Sequence, residues 1–163
     1  MLDGPAKAVG QDPETEWFTY SADDADGSME FFTMGRSRDR ASALDHFAQW
    51  LFEEPTMQKV QWAKNIATQT PDTASSLLNA SSLYADFQDD LIALEGAVPL
   101  LYVVREERRS SVESWAQRFT PAATFAAFGG HMMFKERPDE FNAVLMDFLR
   151  QCHDPTPPRK PNE

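Results

Sequence analysis

The stretch AVPLLYVV at residues 97–104 is an unbroken apolar run, and it decides the fold of this chain. Its length and its β-branched residues favour a strand buried on both faces, as strands of parallel sheets are. A second apolar run, TFAAF at residues 124–128, has the same character, and a helix is predicted between the two at residues 110–119. We therefore expect two parallel strands joined by a helix, with the right-handed crossover that such units adopt.

The chain after the second run is predicted to be helical. Pro138 is expected in the first turn, where proline is well tolerated. Apolar side chains then recur at helical spacing and form one stripe, made of Phe141, Val144, Leu145, Phe148 and Leu149. Residues 96–151 thus give the order strand, helix, strand, helix. The tail at residues 152–163 is rich in proline and charge, and we expect it to be disordered.

The chain before the first run divides into two parts. Residues 1–35 are rich in Asp, Gly, Pro and Ser and are expected to form an irregular N-terminal segment. Residues 36–95 are predicted to be a helical region, because apolar residues recur there at helical spacing. Ser37 is the expected N-cap of its first helix. Leu77 and Leu78 of its third helix are expected to lie in a buried stripe.

Composition excludes several classes of protein. The formal net charge of -11 is spread along the chain, whereas a nucleic-acid-binding protein needs a basic face. A single cysteine, Cys152, permits neither an internal disulfide nor a cysteine-based zinc site. No stretch approaches the roughly 18 apolar residues of a membrane span, and no signal-peptide pattern is present. A cytoplasmic location is the default expectation.

The sequence GGHMMF at residues 129–134, followed by ERPDEFN at residues 136–142, resembles the end of the α/β-hydrolase fold. That family ends with a Gly-His motif, an apolar pair, an acidic residue, a proline and a helix containing Phe-Asn. The order and spacing agree here. Residues 98–104 likewise resemble the penultimate strand of the family, and residues 120–124 resemble the approach to its last strand.

The resemblance covers residues 80–150 and implies a partial α/β-hydrolase fold. Residues 36–95 would then be the helical lid region, and residues 96–151 the C-terminal part of the core with a small parallel sheet. His131 would be the general base. A histidine beyond a strand end is held by a rigid sheet, and its ordinary pKa lies near neutrality. His46 and His153 are expected to be ordinary surface residues.

The nucleophile of this family lies in a G-x-S-x-G elbow, and the sequence contains no such elbow. The nearest string, GRSRD at residues 35–39, has Asp39 in place of the last glycine. We therefore expect Ser37 to cap a helix rather than to attack a substrate. The resemblance implies that the nucleophile half of the fold lies upstream of this sequence, and that the chain alone is inactive.

The acid that orients the histidine is also displaced. The family most often has an aspartate where this sequence has Arg108, and arginine cannot accept the imidazole N–H. Glu106 and Glu107 stand beside it and are candidates. Some family members place the acid one strand earlier, and LDG at residues 2–4 resembles the end of that strand. Asp3 is favoured over the glutamates, although a role as an ordinary turn residue is equally consistent with its position.

The resemblance implies a serine-type hydrolase of small carboxylic esters or related substrates, with no metal or organic cofactor. Phe47, Trp50 and Trp62 are candidates both for an apolar substrate pocket and for core packing. The alternative is a non-catalytic remnant or interaction module, because a two-strand unit leaves apolar faces that self-association or a complementing chain would cover. A third reading is a small helical protein with an unrelated strand-helix-strand unit, in which no acid lies near His131.

Overall fold

The structure is a computed structural model, and it describes residues 4–13, 15–21 and 39–153. The elements in these ranges, in chain order, are β1 (Lys7–Gly10), β2 (Phe18–Ser21), α1 (Arg40–Trp50), α2 (Met57–Ala67), α3 (Asp72–Leu83), α4 (Gln88–Leu94), β3 (Leu101–Val104), α5 (Arg109–Phe119), β4 (Thr124–Ala127), α6 (Met133–Glu136) and α7 (Pro138–His153). A short 3-10 turn, Glu106–Arg108, leads into α5. No described helix combines the length and the apolar character needed to cross a lipid bilayer.

Strands β3 and β4 form the parallel pair that the two apolar runs predict. The register places Leu101 opposite Thr124 and Val104 opposite Ala127, and α5 connects the two strands. Strand β3 is shorter than the apolar run that predicts it, because it begins at Leu101, beyond Pro99. Proline has no backbone N–H to donate to a sheet, so pairing starts beyond it.

One face of this sheet carries the main core. Tyr102 and Val104 are buried there together with Trp115 of α5 and with Ala6 and Trp17 of the N-terminal segment. The Trp17 ring meets the Tyr102 ring edge-on, with centroids 5.5 Å apart, and lies 5.6 Å from the Trp115 ring. Such aromatic pairs contribute about 0.5–1.5 kcal/mol each beyond the burial of their area. The N-terminal segment is therefore part of the core.

The opposite face of the sheet is covered by the chain that follows β4. Val103 is buried there against Phe128 and Met133, and Phe141 and Val144 of α7 pack on the same cluster. The rest of the predicted stripe is more open, since Leu145 and Leu149 are 37% and 41% exposed. Only part of the apolar face of α7 is therefore covered within the described ranges.

Two short strands lie in the segment that composition predicts to be irregular. Strands β1 and β2 pair in parallel, with Lys7 opposite Phe18 and Val9 opposite Tyr20. The ring of Phe18 lies directly over Gly10, where an added Cβ would fall 2.1 Å from a ring carbon. Runs of four residues are too short to show an alternating pattern, and long-range contacts fix this pairing.

Helices α1 and α2 pack side by side around Ala48, Leu51, Phe52 and Ala63. The N-cap of α1 is Asp39, whose carboxylate accepts the N–H of Ser42 at 3.1 Å. The prediction of Ser37 as this cap is therefore wrong, because the helix begins at Arg40 and Asp39 stands at the capping position. Ser37 itself lies outside the described residues, as does the predicted disordered tail beyond His153.

The predicted buried stripe of α3 is exposed. Leu77 and Leu78 are 66% and 67% exposed. Helical spacing shows that a helix has an apolar face but does not show which surface covers it. No element of the described chain covers this face, so the prediction of burial is wrong for these two residues.

A test of the N-terminal segment uses Glu16. Its pKa is lowered to about 2 because Lys7 donates to its carboxylate, as do the backbone N–H groups of Gln11 and Asp12. The carboxylate therefore contributes stability that is present above its ordinary pKa of 4.5 and is lost as the pH falls towards about 2. We expect a carboxyl-detected NMR titration to show this depressed pKa. Lys7→Ala should raise it towards the ordinary value, and an unchanged titration would contradict the ion pair.

Candidate active site

His131 lies on a loop beyond the carboxyl end of β4, where parallel sheets of this type hold their sites. The loop turns at Gly129, whose φ of +64° lies in the left-handed region that favours glycine. A Cβ at this position would also lie 3.3 Å from the Met133 Cβ. The carbonyl of Gly129 accepts the N–H of Glu106 at 3.2 Å, so the histidine loop is joined to the end of β3.

The ring of His131 is half-buried and lies against an aromatic ring of the helical region. Its centroid is 5.0 Å from that of Trp50, with 33° between the planes. Phe47 stacks on Trp50 at 6.2 Å, and the guanidinium carbon of Arg105 lies 4.4 Å from the Trp50 ring centre. Of the three aromatic residues expected to line a pocket, Trp50 thus contacts the histidine and Phe47 packs on Trp50.

Trp62, the third of these aromatic residues, has a different environment. It packs edge-on against Phe52 at 6.3 Å, and the ammonium of Lys135 lies 3.9 Å from the centre of its ring. With Gln58, Lys59 and Lys135 it lines a surface cavity of about 250 Å³. Its role in the described structure is packing within the helical region and its surface, not contact with the histidine.

Glu106 and Glu107, two of the candidate acids, are each paired with an arginine. Both carboxylate oxygens of Glu106 accept from Arg109, at 2.6 and 2.9 Å, and this pairing lowers the pKa of Glu106. Glu107 accepts from Arg105 at 3.0 Å, and its side chain is largely exposed. These pairings orient both glutamates towards Arg105 and Arg109, which flank the 3-10 turn.

Arg108 stands where the family most often has its aspartate, and in this chain it makes a structural hydrogen bond. The guanidinium of Arg108 donates to the carbonyl of Phe18 at 3.2 Å and so joins the end of β3 to β2. Asp3, the favoured acid, lies outside the described residues, as does Ser37. The assignment of the acid therefore stays a prediction.

Arg105 is a residue of the site that sequence reasoning did not single out. It follows the last residue of β3 and is only 7% exposed, and its guanidinium lies between Glu107 and the face of Trp50. The available signal was an arginine that directly ends an apolar run. Stacking on Trp50 joins two segments about 55 residues apart, which no local pattern indicates.

No group of three or more metal-ligating side chains occurs in the part of the chain that the structure describes. The chemistry of the described site is that of an imidazole between an aromatic ring and the end of a sheet. An imidazole can serve as a general base once a nucleophile and an orienting acid are placed beside it.

The fold is shared with solved structures of α/β-hydrolase fold proteins. A bromoperoxidase from Bacillus anthracis matches with a TM-score of 0.70 and 20% identity over 90% of this chain and 55% of its own. An esterase from Exiguobacterium antarcticum matches with a TM-score of 0.65 and 16% identity over 89% and 53%. An enol-lactonase from Burkholderia xenovorans LB400 matches with a TM-score of 0.61 and 16% identity over 74% and 48%.

No protein-family model and no curated protein matches the sequence. The chain spans about half the length of the solved structures that it matches. At these identities the likeness concerns the fold, and it confirms the partial architecture expected from the resemblance. The chain has the fold of the C-terminal portion of an α/β-hydrolase, with helices ahead of the last two strands and a histidine on the loop after the final one.

Proposed function

We propose that this chain is the C-terminal portion of a serine-type hydrolase of small carboxylic esters or related substrates, with His131 as its general base. The observation that supports this most is the position of His131, on a glycine-turned loop beyond the carboxyl end of β4 in a fold shared with esterases. A fold alone does not determine function, so the argument depends on this imidazole.

The proposed reaction has two steps. A serine hydroxyl from polypeptide outside this sequence attacks the ester carbonyl carbon while His131 takes the hydroxyl proton, and the imidazolium then donates that proton to the departing alkoxide. In the second step His131 takes a proton from water. The hydroxide attacks the acyl-enzyme, and the serine leaves with that proton restored.

Asp3 is proposed as the acid that accepts the imidazole N–H. Both oxygens of Glu106 bind Arg109, and Glu107 binds Arg105, so using either glutamate would require breaking an existing pair. Ala6, three residues after Asp3, is fully buried in the cluster that covers β3. The chain at Ala6 therefore packs on the sheet, and this supports the proposal.

The lid assignment for residues 36–95 is part of the same proposal. The stacking of Trp50 on His131 supports it, because a lid must lie over the catalytic groups to line a substrate pocket. The lack of a G-x-S-x-G elbow in the sequence supports the further proposal that the chain alone is inactive.

The second candidate function is a non-catalytic module that pairs with another chain or with itself. It is favoured by large apolar side chains that stay exposed on α4, on α7 and before β3, namely Leu94, Val98, Leu145, Met146 and Leu149. Exposed apolar side chains of this kind are typical of association sites. The two candidates share this surface, since an added hydrolase half would cover it as well.

The first prediction concerns activity. The isolated chain should hydrolyse p-nitrophenyl acetate no faster than its His131→Ala variant, because an imidazole without a positioned serine gives little catalysis. The measurement is the release of p-nitrophenolate at neutral pH, corrected for buffer hydrolysis. A clear His131-dependent rate would show that the chain contains its own nucleophile, and Ser37→Ala would be the variant to measure next.

The next prediction concerns association. The isolated chain should self-associate through the exposed face of α7, and Leu145→Asp with Leu149→Asp should lower its molar mass in light scattering after size exclusion. Ala143→Asp with Gln151→Asp adds the same charge at exposed positions of the same helix that lie off the Leu145–Leu149 face, and it should leave the mass unchanged. A wild-type chain that is monomeric at all concentrations would contradict this use of the surface.

A further inference from the structure

Glu136 is a buried carboxylate five residues beyond His131, in the short helix α6. Its side chain is only 5% exposed. Burying a carboxylate is costly unless hydrogen bonds or an opposite charge replace its water shell, so its partners indicate why it is there.

The partners of Glu136 all come from the helical region. One carboxylate oxygen accepts the backbone N–H of Glu53 at 2.9 Å. The other accepts the N–H of Glu54 at 3.4 Å and the ammonium of Lys59 at 2.7 Å. Lys59 also donates to the carbonyl of Glu54 at 2.9 Å. A single carboxylate therefore holds the connection between α1 and α2, together with the first turn of α2.

The residues on either side of His131 contact the same connection. The N–H of Met132 donates to the carbonyl of Leu51 at 2.9 Å. Gly130 approaches so closely that a Cβ there would lie 2.5 Å from the backbone nitrogen of Glu53. The histidine loop and the end of α1 are thus in direct backbone contact, with His131 between the two contact points.

The last residue of α1 is Trp50, the residue whose ring lies against that of His131. Because the chain leaves α1 at Trp50 and reaches the Glu136 carboxylate at Glu53, a shift of the connection would move the Trp50 ring. Arg137 adds a further ion pair to Glu53, at 2.6 Å, on the outer side of the same contact.

We infer that Glu136 is a positioning residue, which holds the α1–α2 connection on the histidine loop and so sets the orientation of the His131 ring against Trp50. Its catalytic importance depends on the proposed role of His131, whereas the structural coupling does not. Removing the carboxylate would leave two backbone N–H groups without their acceptor and would leave the Lys59 ammonium with only the Glu54 carbonyl. Unsatisfied groups of this kind destabilise the arrangement that buries them.

The test uses NMR spectroscopy of the full chain labelled with ¹⁵N. The sequence has three histidines and four tryptophans, so the ring signals of His131 and Trp50 can be assigned with His131→Gln and Trp50→Phe. Glu136→Gln should shift the His131 ring and Trp50 indole signals and leave the signal of Trp115, in the core on the other face of the sheet, in place.

The matched control is Glu140→Gln, which changes an exposed glutamate of α7 that pairs with Arg137. It should leave the His131 and Trp50 signals unchanged. Lys59→Met removes the cationic partner and keeps the carboxylate with its two amide donors. It should shift the same two signals, by less than Glu136→Gln does.

Unshifted His131 and Trp50 signals in a folded Glu136→Gln chain would overturn the inference. If the Glu136→Gln chain fails to fold, Lys59→Met is measured in its place, since this variant keeps the backbone hydrogen bonds of Glu136 and should fold. Unshifted His131 and Trp50 signals in that variant would then overturn the inference. The readout involves no turnover, so a failure of the proposed hydrolase activity would leave this result standing, and a failure here would leave the general-base role of His131 to its own test.

Discussion

The parallel pairing of β3 with β4 is the constraint on which the described site depends. Because Val104 lies opposite Ala127, both strands end at the same edge of the sheet, and the chain leaves that edge towards Arg105 on one side and towards Gly129 and His131 on the other. The N–H of Glu106 then bonds the carbonyl of Gly129. An antiparallel or shifted pairing would separate these loops, since a slip of one residue reverses every side chain of a strand.

The parts of this fold that the sequence predicts are those that local pattern encodes. Two buried strands follow from runs of apolar residues, and a helix follows from spacing after Pro138. Strands β1 and β2 could not be predicted in this way, because their four-residue pairing depends on contacts with Ala85 and Arg108, far along the chain. The burial of Leu77 was wrongly predicted for the related reason that periodicity shows an apolar face but not its partner.

In the candidate site too, local sequence predicts the position of His131 but not the contacts around it. The histidine was predictable because a short motif resembles a known family. Trp50 was predicted only as a candidate for a substrate pocket or for core packing. Neither its contact with His131 nor the ion pairs that occupy Glu106 and Glu107 were predicted. Ion pairs depend on which arginine reaches which carboxylate after folding, and the sequence offers several arginines to each.

Arg108 stands where the family most often has its acid, and for this reason the acid was predicted in the N-terminal segment. An arginine at position 108 cannot orient an imidazole, but it donates to Phe18 and joins β2 to the end of β3. The same segment contributes Ala6 and Trp17 to the cluster that buries Tyr102, so it packs on one face of the β3–β4 sheet. Where the family most often has its acid, this chain therefore has an arginine that joins the N-terminal segment to the end of β3. An imidazole that acts as a general base requires an acceptor for its other N–H, and the prediction of Asp3 depends on this chemical requirement.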